Sequence, residues 1–240
     1  MVIYMKATAI IASGGTGLRM GSALPKQFIS VKGKPILART LSVFNICTGI
    51  SEIILTAPAG YEALTENIIS AFNFEKAARI ITGGSTRQQS VYNALQAVSG
   101  ADIILIHDAV RPFVTTEEIL RTIEAAGIYG ACSLGIPVKD TIKICDANGF
   151  VIGTPARETL WQIQTPQAFL SGVIMKAHEQ ALLDGITATD DAELAERIGQ
   201  PTRIIMGNYA NIKITTQEDL LFFQDKAGDI HNTGSVSAFF

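Results

Sequence analysis

The chain has 240 residues, of which 48% are apolar and 17% charged, with a formal net charge of −3. A globular chain of this length buries roughly 70–75% of its unfolded surface and needs no disulfide or metal to be stable. The charge balance argues against broad nucleic-acid binding, no apolar run approaches the roughly 20 residues of a membrane span, and Cys47, Cys132 and Cys145 form neither a disulfide framework nor a zinc cluster.

The N-terminal run MVIYMKATAI lacks the apolar core and cleavage site of a secretory signal and the Arg/Ser-rich character of an organelle presequence. With free thiols suited to a reducing compartment, a cytoplasmic location is expected.

Short apolar runs alternate with helical periodicities along the chain. Ala7–Ala12 predicts a strand. Residues 35–46 predict a helix, with Pro35 suited to its first turn and Leu37, Leu41 and Phe44 on one face. Residues 52–57 predict a second strand, followed by a helix marked by Tyr61, Leu64, Ile68 and Phe72. Residues 79–82 read as a short strand, and Val91, Leu95 and Val98 as the stripe of the next helix. Residues 102–106 form an aliphatic run, the pattern of a strand covered on both faces. Thr115 and Glu118 fit a capping box for a helix whose apolar face carries Ile119 and Ile123.

This alternation predicts a mostly parallel sheet with helices on both faces. Ligands of such sheets bind beyond the carboxyl ends of the strands, and three polar segments fall there: 13–21, 83–90 and 107–111. The alternation breaks between residues 136 and 165. Alternating residues at 141–145, a turn at 146–149 and apolar residues at 150–152 predict a β-hairpin, an arm over about 137–160. Helices are expected again at 169–183 and 191–198, a short strand at 211–214 and a helix at 216–226. Residues 1–227 read as one domain, and the small, polar tail 228–240 as poorly ordered.

The first chemistry-bearing segment is Ser13-Gly14-Gly15-Thr16-Gly17-Leu18-Arg19-Met20-Gly21, followed by Lys26. Glycines after a strand let backbone N–H groups approach a polyphosphate closely. Arg19 and Lys26 add the positive charge a triphosphate needs. No Gly-Lys-Ser/Thr follows, so this is not a Walker A loop, and the GxGxxxG spacing misses the dinucleotide pattern. In the second segment, His107-Asp108-Ala109-Val110-Arg111-Pro112, a lone aspartate past a buried strand suits Mg²⁺, which keeps several waters and borrows phosphate oxygens. His107 reads as a packed or hydrogen-bonded residue rather than a base. In the third, 83–90, paired glycines can contact a base and ribose, while Ser85 and Thr86 equally suit a helix N-cap. Arg157, Thr165, Thr189 and Lys213 are weak signals when taken separately; Thr189, for one, suits a helix cap.

Together the segments GGTGLRMG, LPKQF, GGSTRQQSV, HDAVRPF, PVKDTIK, RETLW, QTPQAF and NIKITTQEDL are similar to those of the 2-C-methyl-D-erythritol 4-phosphate cytidylyltransferase family, from about residue 7 to residue 227. The resemblance implies a Rossmann-like three-layer α/β nucleotidyltransferase fold with a β-arm that interlocks with a second copy, hence a homodimer. It implies transfer of the cytidylyl group of CTP to 2-C-methyl-D-erythritol 4-phosphate in isoprenoid precursor synthesis, with pyrophosphate released. Arg19 and Lys26 then look like the residues that stabilise the transition state, and Asp108 like the Mg²⁺ ligand. Ser13, Gly14, Gly15 and Gly17 resemble the nucleotide loop, and Gly84 and Ser90 the cytidine-binding positions. Arg157 and Lys213 resemble the pair that positions the acceptor, supported by Thr165 and Thr189, with Arg157 reaching the partner subunit's site.

The family usually begins its loop Ala-Ala-Gly where this chain has Ser13-Gly14-Gly15. Two other readings share these motifs: the same chemistry on ribitol 5-phosphate, and a nucleotide-binding protein on this fold without catalysis. The RETLW and QTPQAF runs favour the methylerythritol acceptor, and the cations at Arg19, Lys26, Arg157 and Lys213 favour catalysis.

Overall fold

The computed structural model describes residues 5–15 and 24–226, excluding the side chains of 224–226. The 11 strands and 7 helices described run in the order β1 (Ala7–Ala12), β2 (Ser30–Val31), β3 (Lys34–Pro35), α1 (Ile36–Ile46), β4 (Ile50–Ala57), α2 (Glu62–Ala71), β5 (Ala77–Thr82), α3 (Arg87–Leu95), β6 (Ile103–Asp108), α4 (Thr116–Tyr129), β7 (Ala131–Pro137), β8 (Ile144–Cys145), β9 (Val151–Gly153), β10 (Trp161–Leu170), α5 (Ser171–Leu183), α6 (Asp191–Arg197), β11 (Arg203–Met206) and α7 (Gln217–Lys226). The tail beyond residue 226 lies outside the described residues.

Seven strands form one sheet in the order β11-β7-β10-β6-β1-β4-β5. All neighbours are parallel except β10, which runs antiparallel to both β6 and β7. Strand alternation divides the core into two faces. Ala7, Ala9 and Ile11 of β1 and Ile103 and Leu105 of β6 pack with Leu37, Leu41 and Phe44 of α1 and Ile119 and Ile123 of α4. Ile10, Ile104 and Ile106 face the other way, against Val91 and Leu95 of α3, Ile174 of α5 and Ala195 of α6. The result is the expected three-layer α/β fold. Each large aliphatic or Phe side chain buried there contributes about 1.5–3 kcal/mol.

Local signals explain the helix ends. Thr115 accepts from the Glu118 N–H at 3.1 Å and Glu118 accepts from the Thr115 N–H at 2.9 Å, so the capping box of α4 is complete. Its C-terminal stop is Gly130, at φ +84°, whose N–H reaches the Ala126 carbonyl. Pro35 precedes α1 as its N-cap rather than entering the first turn.

The structure differs from the sequence reading at several points. Residues 169–170 are strand, not helix: Phe169 and Leu170 pair with Ile104 and Ile103, and α5 starts at Ser171. β10 carries Gln164, Gln167 and Pro166, which resemble surface residues, yet 164–169 are buried, and the ladder to β7 shifts between Ile163 and Gln167 around the proline. β7 and β11 are extra strands on that side of the sheet. Residues 211–214 do not form the expected strand; Ile214 makes one backbone bond, to the Val110 carbonyl at 2.9 Å. α3 stops at Leu95, leaving Val98 in the turn after it. The arm hairpin is present as β8 and β9, closed by a turn in which Asp146 accepts from the N–H groups of Asn148 and Phe150 and Gly149 takes φ +86°.

Candidate active site

Parallel pairing sets the site at the carboxyl edge of the sheet. Ala12 of β1 is in register with Asp108 of β6, so the glycine-rich loop leaves the sheet beside the aspartate. Ser13 is fixed by its N–H, which donates to Thr56 Oγ1 on β4 at 2.8 Å. Buried Gln27, in the 3-10 turn Lys26–Phe28, donates from Nε2 to the carbonyls of Ser13 at 2.7 Å and Gly15 at 3.0 Å. Those carbonyls are thereby occupied on the Gln27 side. A Cβ on Gly14 would lie 2.6 Å from Ser90 Oγ and 3.2 Å from Gly83 Cα, so only glycine permits this approach of the two loops.

The second loop is equally tied. Thr86 is the N-cap of α3, accepting from the Gln89 N–H at 3.0 Å. Ser90 donates to the Thr86 carbonyl at 2.8 Å and accepts from the Gly84 N–H at 3.0 Å. The segment 83–90 therefore both caps a helix and shapes the cleft wall.

Asp108 sits at the centre, 5% exposed, among three cations. Arg87 Nε lies 3.1 Å from its Oδ1, while Lys213 Nζ at 2.9 Å and Arg111 Nε at 3.5 Å approach Oδ2. Burial opposes its charge, but Arg87, Lys213 and Arg111 outweigh burial and hold the carboxyl well below the usual range. Arg87 also meets the buried Asp191 carboxylate at 2.7 Å, an ion pair not aligned as a hydrogen bond. Burial works against the Arg87 charge, and Asp191 and Asp108 more than restore it.

Beneath Asp108, one hydrogen-bond chain fixes the strand ends. The Asp108 N–H donates to Thr165 Oγ1 at 3.1 Å, and Thr165 Oγ1 lies 3.0 Å from His107 Nδ1. His107 Nε2 lies 3.2 Å from the Arg111 carbonyl, which can only accept, so Nε2 carries the proton and Nδ1 accepts from Thr165. Burial pushes the imidazole down to about 3, against the pull of Asp108. His107 is thus a neutral structural residue, as read from the sequence. Asn211, fully buried, donates to the Thr165 carbonyl at 2.9 Å and accepts on its own carbonyl from Arg111 at 2.7 Å, which holds the segment carrying Lys213.

These loops enclose a cleft of about 500 Å³ lined by Ser13, Gly14, Gly15, Lys26, Gln27, Gly84, Arg87, Ser90, Asp108 and Lys213, among others. Of the residues singled out in the sequence, Ser13, Gly14, Gly15, Lys26, Gly84, Ser90, Asp108 and Lys213 meet there. Gly17 and Arg19 lie outside the described residues. Thr165 supports Asp108 from below and does not line the cleft. Thr189 is exposed and bound to Glu193, and Asp190 rather than Thr189 caps α6. Arg157 sits exposed on the arm, donating to the Lys139 carbonyl at 3.1 Å, away from its own chain's cleft. Gln27, Arg87, Asp191 and Asn211 were not singled out. All four lie within segments read from the sequence, but with no role given to them, because pairing between distant segments leaves no local signature.

Among the described residues, the cleft is lined by one carboxylate and several cations, with neutral His107 buried beneath; this arrangement can stabilise developing negative charge and shows no general base. It suits a nucleophile that is already ionised.

The profile of the 2-C-methyl-D-erythritol 4-phosphate cytidylyltransferase family matches residues 7–225. The chain is 46% identical over 219 residues to the enzyme of that name from Geobacillus kaustophilus, covering 91% of this chain and 95% of the relative. It is 43% identical over 221 residues to that of Geotalea uraniireducens, covering 90% and 94%. Its fold is similar to the crystal structure of 4-diphosphocytidyl-2C-methyl-D-erythritol synthase from Anaerococcus prevotii, with TM-score 0.83, 34% identity and 94% and 97% of the two chains covered. The 2-C-methyl-D-erythritol 4-phosphate cytidylyltransferase from Thermus thermophilus aligns with TM-score 0.77 at 31% identity, covering 93% and 99%. From the motif set, the cleft and these likenesses together, the chain belongs to the 2-C-methyl-D-erythritol 4-phosphate cytidylyltransferase family.

Proposed function

We infer that this chain transfers the cytidylyl group of CTP to 2-C-methyl-D-erythritol 4-phosphate, giving 4-diphosphocytidyl-2-C-methyl-D-erythritol and pyrophosphate in isoprenoid precursor synthesis. The observation that carries the reading is the meeting of the glycine-rich loop with Lys26, Asp108 and Lys213 in one cleft.

The acceptor phosphate monoester is ionised near neutral pH and needs no base to activate it. The barrier is repulsion between anions and charge growing on the α-phosphate and the leaving pyrophosphate. Lys26, with Arg19, stabilises that charge. Backbone N–H groups of the loop beyond Ser13, whose own N–H is taken by Thr56, hold the nucleotide, and Gly84 and Ser90 shape the cytidine side. Lys213 and Arg157 hold the acceptor phosphate for in-line attack, Arg157 as a paired donor and Lys213 as a point charge. Thr165 sets Asp108 in place, and the family resemblance alone assigns Thr189 to the acceptor.

Among the described residues no group of three His, Cys, Asp or Glu side chains converges as an all-protein metal cage. Asp108, the carboxylate lining the cleft among the described residues, fits Mg²⁺, which completes its shell with water and phosphate oxygens. Asp108 is the residue that would hold it, and the ion would add charge neutralisation at the phosphates.

The arm supports a homodimer. Phe150 is 72% and Ile152 67% exposed, beside Ile144 and Val151, an apolar surface that calls for cover. Arg157 on the same arm lies away from its own cleft, which is consistent with the partner-site role that the family resemblance implies. All three cysteines are free, which fits a cytoplasmic enzyme. No helix among the described residues is long and apolar enough to cross a membrane.

The test is pyrophosphate release from CTP with 2-C-methyl-D-erythritol 4-phosphate, with ribitol 5-phosphate or with no acceptor. Release with the first alone is expected. Binding of CTP without release under any condition would identify a non-catalytic protein.

A further inference from the structure

The partners of Asp108 are divided between its two oxygens. Among the described residues, Oδ1 is met by Arg87 at 3.1 Å, whereas Oδ2 is shared by Lys213 at 2.9 Å and, loosely, Arg111 at 3.5 Å. The three cations also differ in freedom. The Lys213 side chain is 38% exposed and its ion pair is with Asp108. Arg87 is tethered at its far end, where Nη2 meets Asp191, 1% exposed, at 2.7 Å. Asp191 is in turn held by His178 Nε2 at 3.1 Å, also 1% exposed. Arg87 stands on the first turn of α3, Asp191 on the first turn of α6 and His178 on α5, so three helices converge on one guanidinium.

We propose that Arg87 is a positioning residue: Asp191 anchors its guanidinium so that it keeps Oδ1 of Asp108 fixed, leaving Oδ2 as the oxygen that exchanges Lys213 for a divalent cation carried by the nucleotide. Lys213 is then released to the acceptor phosphate without loss of the Asp108 orientation. A rigid planar fork bridging two carboxylates does this, and a flexible ammonium does not. A buried ion pair replaced on both sides by neutral groups need not lose stability, so a purely structural bridge is dispensable in a way this one is not.

The inference rests on the cytidylyl-transfer reading, and its test separates the two. The variants are D191N, which keeps Arg87 but loosens its anchor, and the double variant R87M/D191N, which removes both charges. Mn²⁺ binding in the presence of a non-hydrolysable CTP analogue is followed by electron paramagnetic resonance and needs no turnover. Melting temperature, kcat and the acceptor KM are measured alongside.

D191N is expected to weaken Mn²⁺ binding by about tenfold, and R87M/D191N by about 10–100-fold, as for groups that orient a metal ligand. In the double variant the melting temperature stays near that of the unaltered protein, kcat falls with the metal affinity, and the acceptor KM moves less than about twofold. Wild-type Mn²⁺ affinity in D191N, or recovery of both melting temperature and Mn²⁺ affinity in the double variant, overturns the proposal. If R87M/D191N does not fold, D191N alone decides. Absence of pyrophosphate release from the unaltered protein would instead strike the cytidylyl-transfer reading, while the Mn²⁺ titration still reads the bridge.

Discussion

Lys213 Nζ lies 2.9 Å from the Asp108 carboxylate, so the acceptor-side cation and the candidate metal ligand neutralise each other across the cleft. Neither group is then idle before substrate arrives: each must trade this partner for a ligand. The trade costs little for Lys213, which is half-exposed, and more for Asp108, which is buried. Substitutions on the two sides should therefore separate kinetically.

Lys213→Ala is expected to lower kcat/KM for the acceptor by about 100-fold while leaving CTP affinity within about threefold. Lys26→Ala should lower kcat by roughly 10²–10³-fold, with the acceptor KM little changed. Steady-state kinetics with each substrate varied in turn checks both. A loss of CTP affinity in Lys213→Ala as large as the loss of acceptor efficiency would remove Lys213 from the acceptor side.

Asp108 makes stability depend on acidity. Its folded pKa lies below its unfolded value, so its contribution is complete above about pH 4, where the unfolded carboxylate titrates, and is lost as pH falls toward the folded pKa. Asp108→Asn lacks this contribution and leaves Arg87, Arg111 and Lys213 facing one another. Calorimetry should show the variant melting below the parent at pH 7, with the gap narrowing below about pH 4. A gap of constant size from pH 7 to the acid limit would show that the Asp108 charge does not bear on folding.

Gln27 orders the nucleotide loop from behind through its two bonds to the Ser13 and Gly15 carbonyls. Gln27→Glu turns a carboxylate toward those carbonyls, at a cost of about 1–3 kcal/mol in stability and roughly tenfold in CTP KM. The acceptor KM should hold. Gly14→Ala should act in the same direction, because its Cβ would displace Ser90 and Gly83. Chemical denaturation and CTP titration measure the two effects; unchanged CTP binding in Gln27→Glu would remove the loop clip from the account.

The arm predicts complementation between copies. Arg157→Ala and Asp108→Asn should each be nearly inactive. If Arg157 serves the partner's cleft, an equimolar mixture of the two regains up to about a quarter of the parent activity after subunit exchange, since about half the dimers are then mixed and each has one intact site of two. Phe150→Asp should release monomers, seen by light scattering. Activity that stays at the level of the separate variants after subunit exchange would place Arg157 in its own chain's site.

Much of the fold was legible because the inner strands carry a local signal. Ala7–Ala12 and Ile103–Asp108 are buried on both faces and largely aliphatic, and Thr115 with Glu118 writes the start of α4 in four residues. β10 was hidden because its buried polar residues are satisfied from afar: Gln164 donates to the Asn208 carbonyl, and Gln167 binds Asp190 and the first N–H groups of α6. In the site, the glycine loop and Asp108 could be read from position alone, as residues following strands. Arg87 and Asp191 could not, since their pairing depends on α3 and α6 meeting across about 100 residues of chain. The roles of Arg157 and Thr189 came from family resemblance, and neither lines the cleft of its own chain.

Direct competition between the two acceptors tests which polyol phosphate the cleft takes. The protein is given CTP with equal concentrations of 2-C-methyl-D-erythritol 4-phosphate and ribitol 5-phosphate, and the CDP-linked products are resolved by mass spectrometry. 4-Diphosphocytidyl-2-C-methyl-D-erythritol is expected to form with stoichiometric pyrophosphate and to exceed the ribitol product by about 100-fold or more. Predominance of CDP-ribitol, or consumption of CTP without either product, would contradict the methylerythritol assignment.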